Sequence, residues 1–333
     1  MEYKNVDTLK SNREILMNYA NQLVQIKNKM TFGKGPESVK IEFKWTDTFK
    51  ESKWTSYSIH FEYYNVLFNL AIINYLLGLE TTKDAKLDEF VLKDGIKYYQ
   101  FAAGFFNLIK EEAPSTINKE ELPYDMDPNY LTYCVHICTS LAQILLIEVA
   151  IKKKSALNLQ AQLEKGVESG FRNAWNLIQN SSFRKHMDDI WKVLIENRCN
   201  YYEAKTFEKM RDYSIEQFNK SGVNYGIAIT YQGGVVLALQ KNVKSNKKVE
   251  KIITRDDLNL PAAQELGEQM YEKNNKIYYH KVPELEELPE VTPKIMANPS
   301  LPPEFSTKEE YRPELEALVP RQVNIKLIFL NLG

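Results

Sequence analysis

Residues Asp94 to Lys110, DGIKYYQFAAGFFNLIK, limit the possible folds more than any other stretch. Tyr98, Phe101, Phe105 and Ile109 recur at spacings of three and four, the period of a helix with one buried stripe. Between them, Ala102, Ala103 and Gly104 carry so little side chain that a neighbouring backbone can approach closely. The stretch is therefore a helix built to be packed against, and by itself it implies no chemistry.

The rest of the chain repeats this architecture without a strict sequence period. Helical spacing runs from Asp7 to Met30, with Asp7 as a plausible N-cap, and again through the nearly all-apolar Ser56 to Leu79. Pro114, Pro123 and Pro128 mark a loop. Tyr130 to Lys154 reads as a buried helix ending in cations that suit a helix C-terminus. Ser155 can cap the next, to Asn180, and a long strut runs from about Phe183 to Lys220. Pro261 opens a further helix to about Ile277. Long helices joined by short connections predict an α-solenoid of irregular helical hairpins.

Two stretches depart from this pattern. Val39, Ile41, Phe43 and Trp45 alternate with polar residues, which predicts a strand, although no partner strand is evident nearby. In Val223 to Leu239, VNYGIAITYQGGVVLAL, β-branched residues flank Gly233-Gly234 and locally suggest a hairpin. A lone hairpin buries little and its surroundings are helical, so helix is expected. Beyond Val282, prolines from Pro283 to Pro320 exclude long helices. Leu285, Leu288, Ile295, Met296 and Phe305 suggest an extended tail lying along the helical body.

With 44% apolar residues, 12% aromatic residues and a formal net charge of -1, the chain has ample material for a core and no bulk charge to draw nucleic acid. Cys134, Cys138 and Cys199 are too few and too unevenly spaced for a disulfide framework, which suits a reducing cytosol. The N-terminus reads as neither signal nor transit peptide, and Val66 to Leu79 is too short to span a bilayer. A soluble, cytoplasmic protein is expected.

The chemical motifs are weak. Cys134 and Cys138 share a helix face, but His136 points about 200° away from each, so the three cannot ligate one ion. His60 with Glu62, and His186 with Asp188 and Asp189, have no third member or oxyanion device. There is no phosphate loop, dinucleotide fingerprint, nucleophile elbow or HExxH. A non-catalytic protein without cofactor or metal is expected. The basic run Lys241, Lys244, Lys247, Lys248 and Lys251 reads first as a solvated face and second as a weak patch for anionic membrane. Leu157, Leu159 and Leu163 form a denser apolar cluster than one face requires, either core or a surface for a partner helix.

Several segments in series resemble the BRO domain of the Alix family of endosomal-sorting adaptors: FKWTDTF (Phe43 to Phe49), EYYNVLFNLA (Glu62 to Ala71), KYYQFAAGFF (Lys97 to Phe106), LAQ (Leu141 to Gln143), KIYYHKVPELEEL (Lys276 to Leu288) and Val319-Pro320. The resemblance covers nearly the whole chain. It implies a single domain over 1–333, mostly α: a boomerang-shaped α-solenoid with a tetratricopeptide-like core. Residues 1–55 would supply an N-terminal helix and small sheet, 56–280 the solenoid, and 281–333 an extended Pro-rich segment packed on the body.

For function, the resemblance implies an adaptor that binds the C-terminal amphipathic helix of an ESCRT-III subunit of the Snf-seven class in endosomal sorting. It places Leu146, Leu159 and Leu163 at the apolar patch, with Glu89 and Lys93 flanking the groove. Tyr279 matches a tyrosine that some relatives use as a phosphorylation-dependent docking site; an aromatic anchoring the tail is the preferred reading here. Two departures stand out: the part before Trp45 is short for the family, and the ending NIKLIFLNLG differs from the helix expected there. The alternatives are an unrelated helical-repeat peptide-binding module and an α-solenoid enzyme such as a prenyltransferase subunit.

Overall fold

The computed structural model describes residues 5–27, 29–49, 52–83, 88–118, 122–246 and 259–305. The described residues form two compact units, the first drawn from within 1–85, 97–135 and 299–333, the second from within 86–96 and 136–298. The chain is mostly helical, with one small two-stranded antiparallel sheet among the described residues.

In the first unit, helix α1 (Val6–Lys27) packs on α2 (Ile59–Thr81). The cap of α1 is Asn5, whose Oδ1 accepts from Asp7 N at 2.9 Å, so the sequence-level choice of Asp7 lies inside the first turn. Strands β1 (Phe43–Thr46) and β2 (Lys53–Ser56) form a hairpin in which Trp45 opposes Trp54. The missing partner strand is thus the next segment along the chain, too short to show a period. Ile41 and Val39 lie outside β1.

Glu62 belongs to this framework and not to a catalytic pair with His60. Its carboxylate accepts from Tyr19 Oη at 2.9 Å and Trp45 Nε1 at 2.6 Å, joining α1, β1 and α2. Helix α2 is enclosed on nearly every side, with Phe61, Tyr63, Tyr64, Leu67 and Leu70 in the core, which explains its lack of a polar face.

Helix α3 (Glu89–Thr116) contains the opening motif. Ala102, Ala103, Phe105 and Ile109 are fully buried, and Phe101 carries the Arg13 guanidinium over its ring. Pro114 lies within the last turn of α3 instead of marking the loop, since a proline near a helix end removes few backbone bonds. The backbone that the small residues admit is the extended segment at Ser300. A Cβ added at Gly104 would overlap the Ser300 carbonyl oxygen, and Ser300 N donates to Gln100 O at 3.1 Å. Arg13 also fastens this end of the tail, pairing with Glu304 at 2.7 Å.

In the second unit, α4 (Pro128–Lys152, counted here from His136) and α5 (Leu157–Asn180) precede α6 (Asp189–Ser221), α7 (Tyr225–Asn246) and α8 (Leu260–Lys273). By length and composition α4 could cross a bilayer, but α5 packs against it, with Gly170 seated on Ser140 and the His136 carbonyl. Cys138 lies buried in α4, its thiol pushed up to about 12 by desolvation. Ser155 does not cap α5. The Gln160 side chain instead donates to the Ser155 carbonyl at 2.8 Å. Helix α6 starts later than its periodicity suggests, because Asp188 caps it by accepting from Ile190 N. Gly222, in the left-handed region at φ 72°, ends it.

The Val223 to Leu239 conflict resolves as helix α7. It is buried on most sides; a Cβ at Gly234 would meet the Phe207 ring and one at Gly226 the Lys281 carbonyl, so these two glycines serve packing, while Gly233 sits on the exposed side of the helix and makes no turn. Burial overrides β-propensity here.

Candidate functional site

Three elements of the second unit meet where the leucine cluster was expected. On α4, Leu146 is half-buried; on α5, Leu159 is half-buried as well. Leu163, one turn further, is only 2% exposed and belongs to the core. The expected set of three open anchors therefore becomes two open leucines over a buried third, because α5 turns that position inward against α4.

The third element is the tail. Gln143, the last residue of the LAQ motif, donates from Nε2 to Lys294 O at 2.7 Å and accepts through Oε1 from Met296 N at 3.0 Å and Ala297 N at 3.2 Å. On the other side, Lys294 N donates to Gln162 O at 2.8 Å. A Cβ at Gly166 would lie 2.6 Å from the Lys294 carbonyl oxygen, so only glycine lets the extended tail settle there. Ala297 is buried, while Ile295 and Met296 are 58% and 50% exposed. Gln143 lies one turn before Leu146 on α4 and Gln162 one turn after Leu159 on α5, so the tail backbone that carries Ile295 and Met296 is bonded to both helices within a turn of the leucines. Sequence reading assigned these residues to tail packing. Their exposure was the missing signal, and it depends on which residue of the tail turns inward.

The charged flank also gains a member. Glu89 pairs with Lys93 at 2.9 Å, as the i, i+4 spacing implies, and with Lys153, just past α4, at 3.2 Å. Hydrogen bonds from Lys93 and then Lys153 hold its carboxyl below the usual range. Lys153 follows the last residue of α4, about two helical turns beyond Leu146, so this cluster stands at the C-terminal end of that helix. Beside it Phe90 is 72% exposed, an apolar contact the sequence reading did not single out.

The other candidates lie elsewhere. Tyr279 does not anchor the tail. It has left-handed backbone (φ 56°), is 76% exposed and donates from Oη to Lys276 O. The anchors are its neighbours: Tyr278 meets Phe218 edge-on, lies tilted against Tyr225 and stacks with His280, and Tyr225 N donates to His280 Nδ1 at 3.0 Å. A π-turn at Asn274–Tyr278 shifts which aromatic faces inward. In the basic run, Lys244 is exposed, Lys241 pairs with Glu203 at 3.1 Å, and Lys247, Lys248 and Lys251 lie outside the described residues, as do Val319 and Pro320.

Residues 2–328 match the family model of the BRO1-like domain. The vacuolar protein-sorting protein bro-1 of Neurospora crassa is 22% identical over 82% of this chain and 27% of its own length. ALG-2 interacting protein X of Dictyostelium discoideum is 23% identical over 96% of this chain and 39% of its own. The chain thus spans between a quarter and two fifths of these relatives. The structure titled ALIX BRO1 CHMP4C complex superposes with a TM-score of 0.77 at 20% identity, covering 90% of this chain and 82% of that one, a likeness of fold. With a family model matched over nearly its whole length and a mostly helical fold carrying a small sheet, the chain belongs to the BRO1-like domain family.

Proposed function

We propose that this chain is a non-catalytic adaptor domain that binds the amphipathic C-terminal helix of an ESCRT-III subunit of the Snf-seven class in endosomal sorting. Leu146 and Leu159 are its apolar anchors, Met296 and Ile295 extend the surface, and Leu163 supports it from beneath. The observation that carries the reading is the pair of half-open leucines on adjacent helices, continued by exposed apolar residues of the tail. Such a strip accepts leucines and methionines at i, i+3 and i+4 of a partner helix. Glu89, Lys93 and Lys153 give the polar flank that orients it. The ALIX domain captured with CHMP4C, and relatives named for vacuolar protein sorting, support the same partner class and a cytoplasmic protein recruited to endosomal membranes.

The test is titration of a fluorescent Snf-seven-type C-terminal helix. Leu146→Asp with Leu159→Asp should abolish binding while the fold persists; wild-type-like binding by that variant removes the site, and no binding by the parent chain removes the partner. Contact with anionic lipid through Lys241, Lys244, Lys247, Lys248 and Lys251 is a subsidiary part of the proposal. Lys241 is already bound to Glu203, so the contact is weak and should vanish from liposome co-sedimentation as salt rises. The tyrosine at 279 is open enough for a kinase, and phosphorylation there would add charge without disturbing the anchors Tyr278 and His280.

A further inference from the structure

We propose that a cavity of about 330 Å³ in the second unit, between the tail and helices α5 to α7, is a second docking pocket for a bulky apolar side chain carried on a short basic segment of another protein. Its apolar lining comes from Phe207 and Tyr231 on the helices and Leu285, Leu288 and Val291 on the tail. A short helical turn, Leu285–Glu287, sets Leu285 and Leu288 on the cavity while Glu286 and Glu287 stay exposed. The volume is at the low end of ligand clefts and suits one or two side chains better than an extended cofactor.

The rim decides the partner's charge. Two charges at the cavity are answered within the protein: Glu203 by Lys241 at 3.1 Å, and Lys165 by Glu168 at 3.0 Å. Glu286 and Glu290 also line the cavity, are exposed, and make no ion pair among the described residues. The unanswered charge is therefore negative. It attracts lysine or arginine flanking the inserted side chain and repels anionic lipid or phosphate. This pocket uses residues 285–291 of the tail, whereas the leucine surface uses 294–297, so the two sites can be separated by mutation.

The probes are labelled nine-residue peptides with lysine flanks and a central phenylalanine, leucine or alanine, and a glutamate-flanked phenylalanine peptide, followed by fluorescence anisotropy. The lysine-flanked phenylalanine or leucine peptide should bind saturably and about tenfold tighter than its alanine counterpart. Glu286→Lys with Glu290→Lys, both at exposed positions, should weaken it about tenfold and favour the glutamate-flanked peptide. Leu146→Asp with Leu159→Asp should leave it unchanged. No saturation by about 1 mM, indifference to the central residue or to charge reversal, or loss in the leucine variant would each overturn the proposal.

Discussion

Gln143 holds Lys294 and its successors with both ends of one side-chain amide, donating to the Lys294 carbonyl and accepting from the Met296 and Ala297 amides. The residue is 2% exposed, so these groups have no water to fall back on when it is removed. Gln143→Ala should therefore destabilise the second unit by about 2–4 kcal/mol, each lost bond contributing about 1 and each stranded buried group adding to it. Urea unfolding measures the loss. Hydrogen exchange should locate it at the amides of Met296 and Ala297; unchanged protection there would contradict the assignment.

Two glycines predict opposite responses to one methyl group. At Gly104 an added Cβ overlaps the Ser300 carbonyl oxygen, so Gly104→Ala should displace the tail and cost about 1–3 kcal/mol. At Gly233, in the interior of α7, nothing lies within 4 Å of the added atom. Gly233→Ala should stabilise by up to about 1 kcal/mol through helix propensity alone. Thermal unfolding of the two variants side by side checks both signs.

Met296 is half exposed although its amide is bound to Gln143, so its side chain can change without loosening the tail. Met296→Asp should leave the melting temperature within about 2 °C of the parent, as surface changes usually do. It should also weaken binding of the proposed ESCRT-III helix about tenfold by placing a carboxylate in an apolar contact. A binding isotherm unaffected by this substitution would remove the tail from the docking surface.

Glu164 is buried with Oε2 unpartnered, and desolvation pushes its carboxyl up to about 7. The folded chain keeps a proton that the unfolded chain releases near 4.5, so this group's contribution to stability is present at low pH and lost as pH rises from about 4.5 to 7. Glu164→Gln should flatten that slope and gain about 2–3 kcal/mol at pH 8. Asp125 in the first unit, pushed up to about 6 mainly by burial, adds a slope of the same sign that the variant retains. Chemical denaturation across pH 5 to 8 separates the two.

The helices were legible because their apolar spacing is local, and the opening motif correctly implied a close backbone neighbour. Helix ends were less legible: Asn5 caps in place of Asp7, and α6 starts at Asp189, since capping depends on one side chain reaching one amide. For the proposed site, the resemblance named Leu146, Leu159, Leu163, Glu89 and Lys93, and the i, i+4 spacing anticipated the Glu89–Lys93 pair. They did not reveal Lys153 as a second partner of Glu89, the burial of Leu163, or the exposure of Phe90 and Met296.

By itself, the sequence determined the class of this protein: which stretches are helical, where small residues await a neighbour, and that prolines keep the tail extended. These follow from periodicity and steric volume along the chain. Only the tertiary structure decided what fills each space. Ser300 lies on Gly104, Lys294 on Gly166, Tyr278 turns inward in place of Tyr279, and Ile295 and Met296 turn outward. An extended segment without regular hydrogen bonds has no period to announce its buried face; that face is selected by the partners it meets, here Gln143 and the glycine seats.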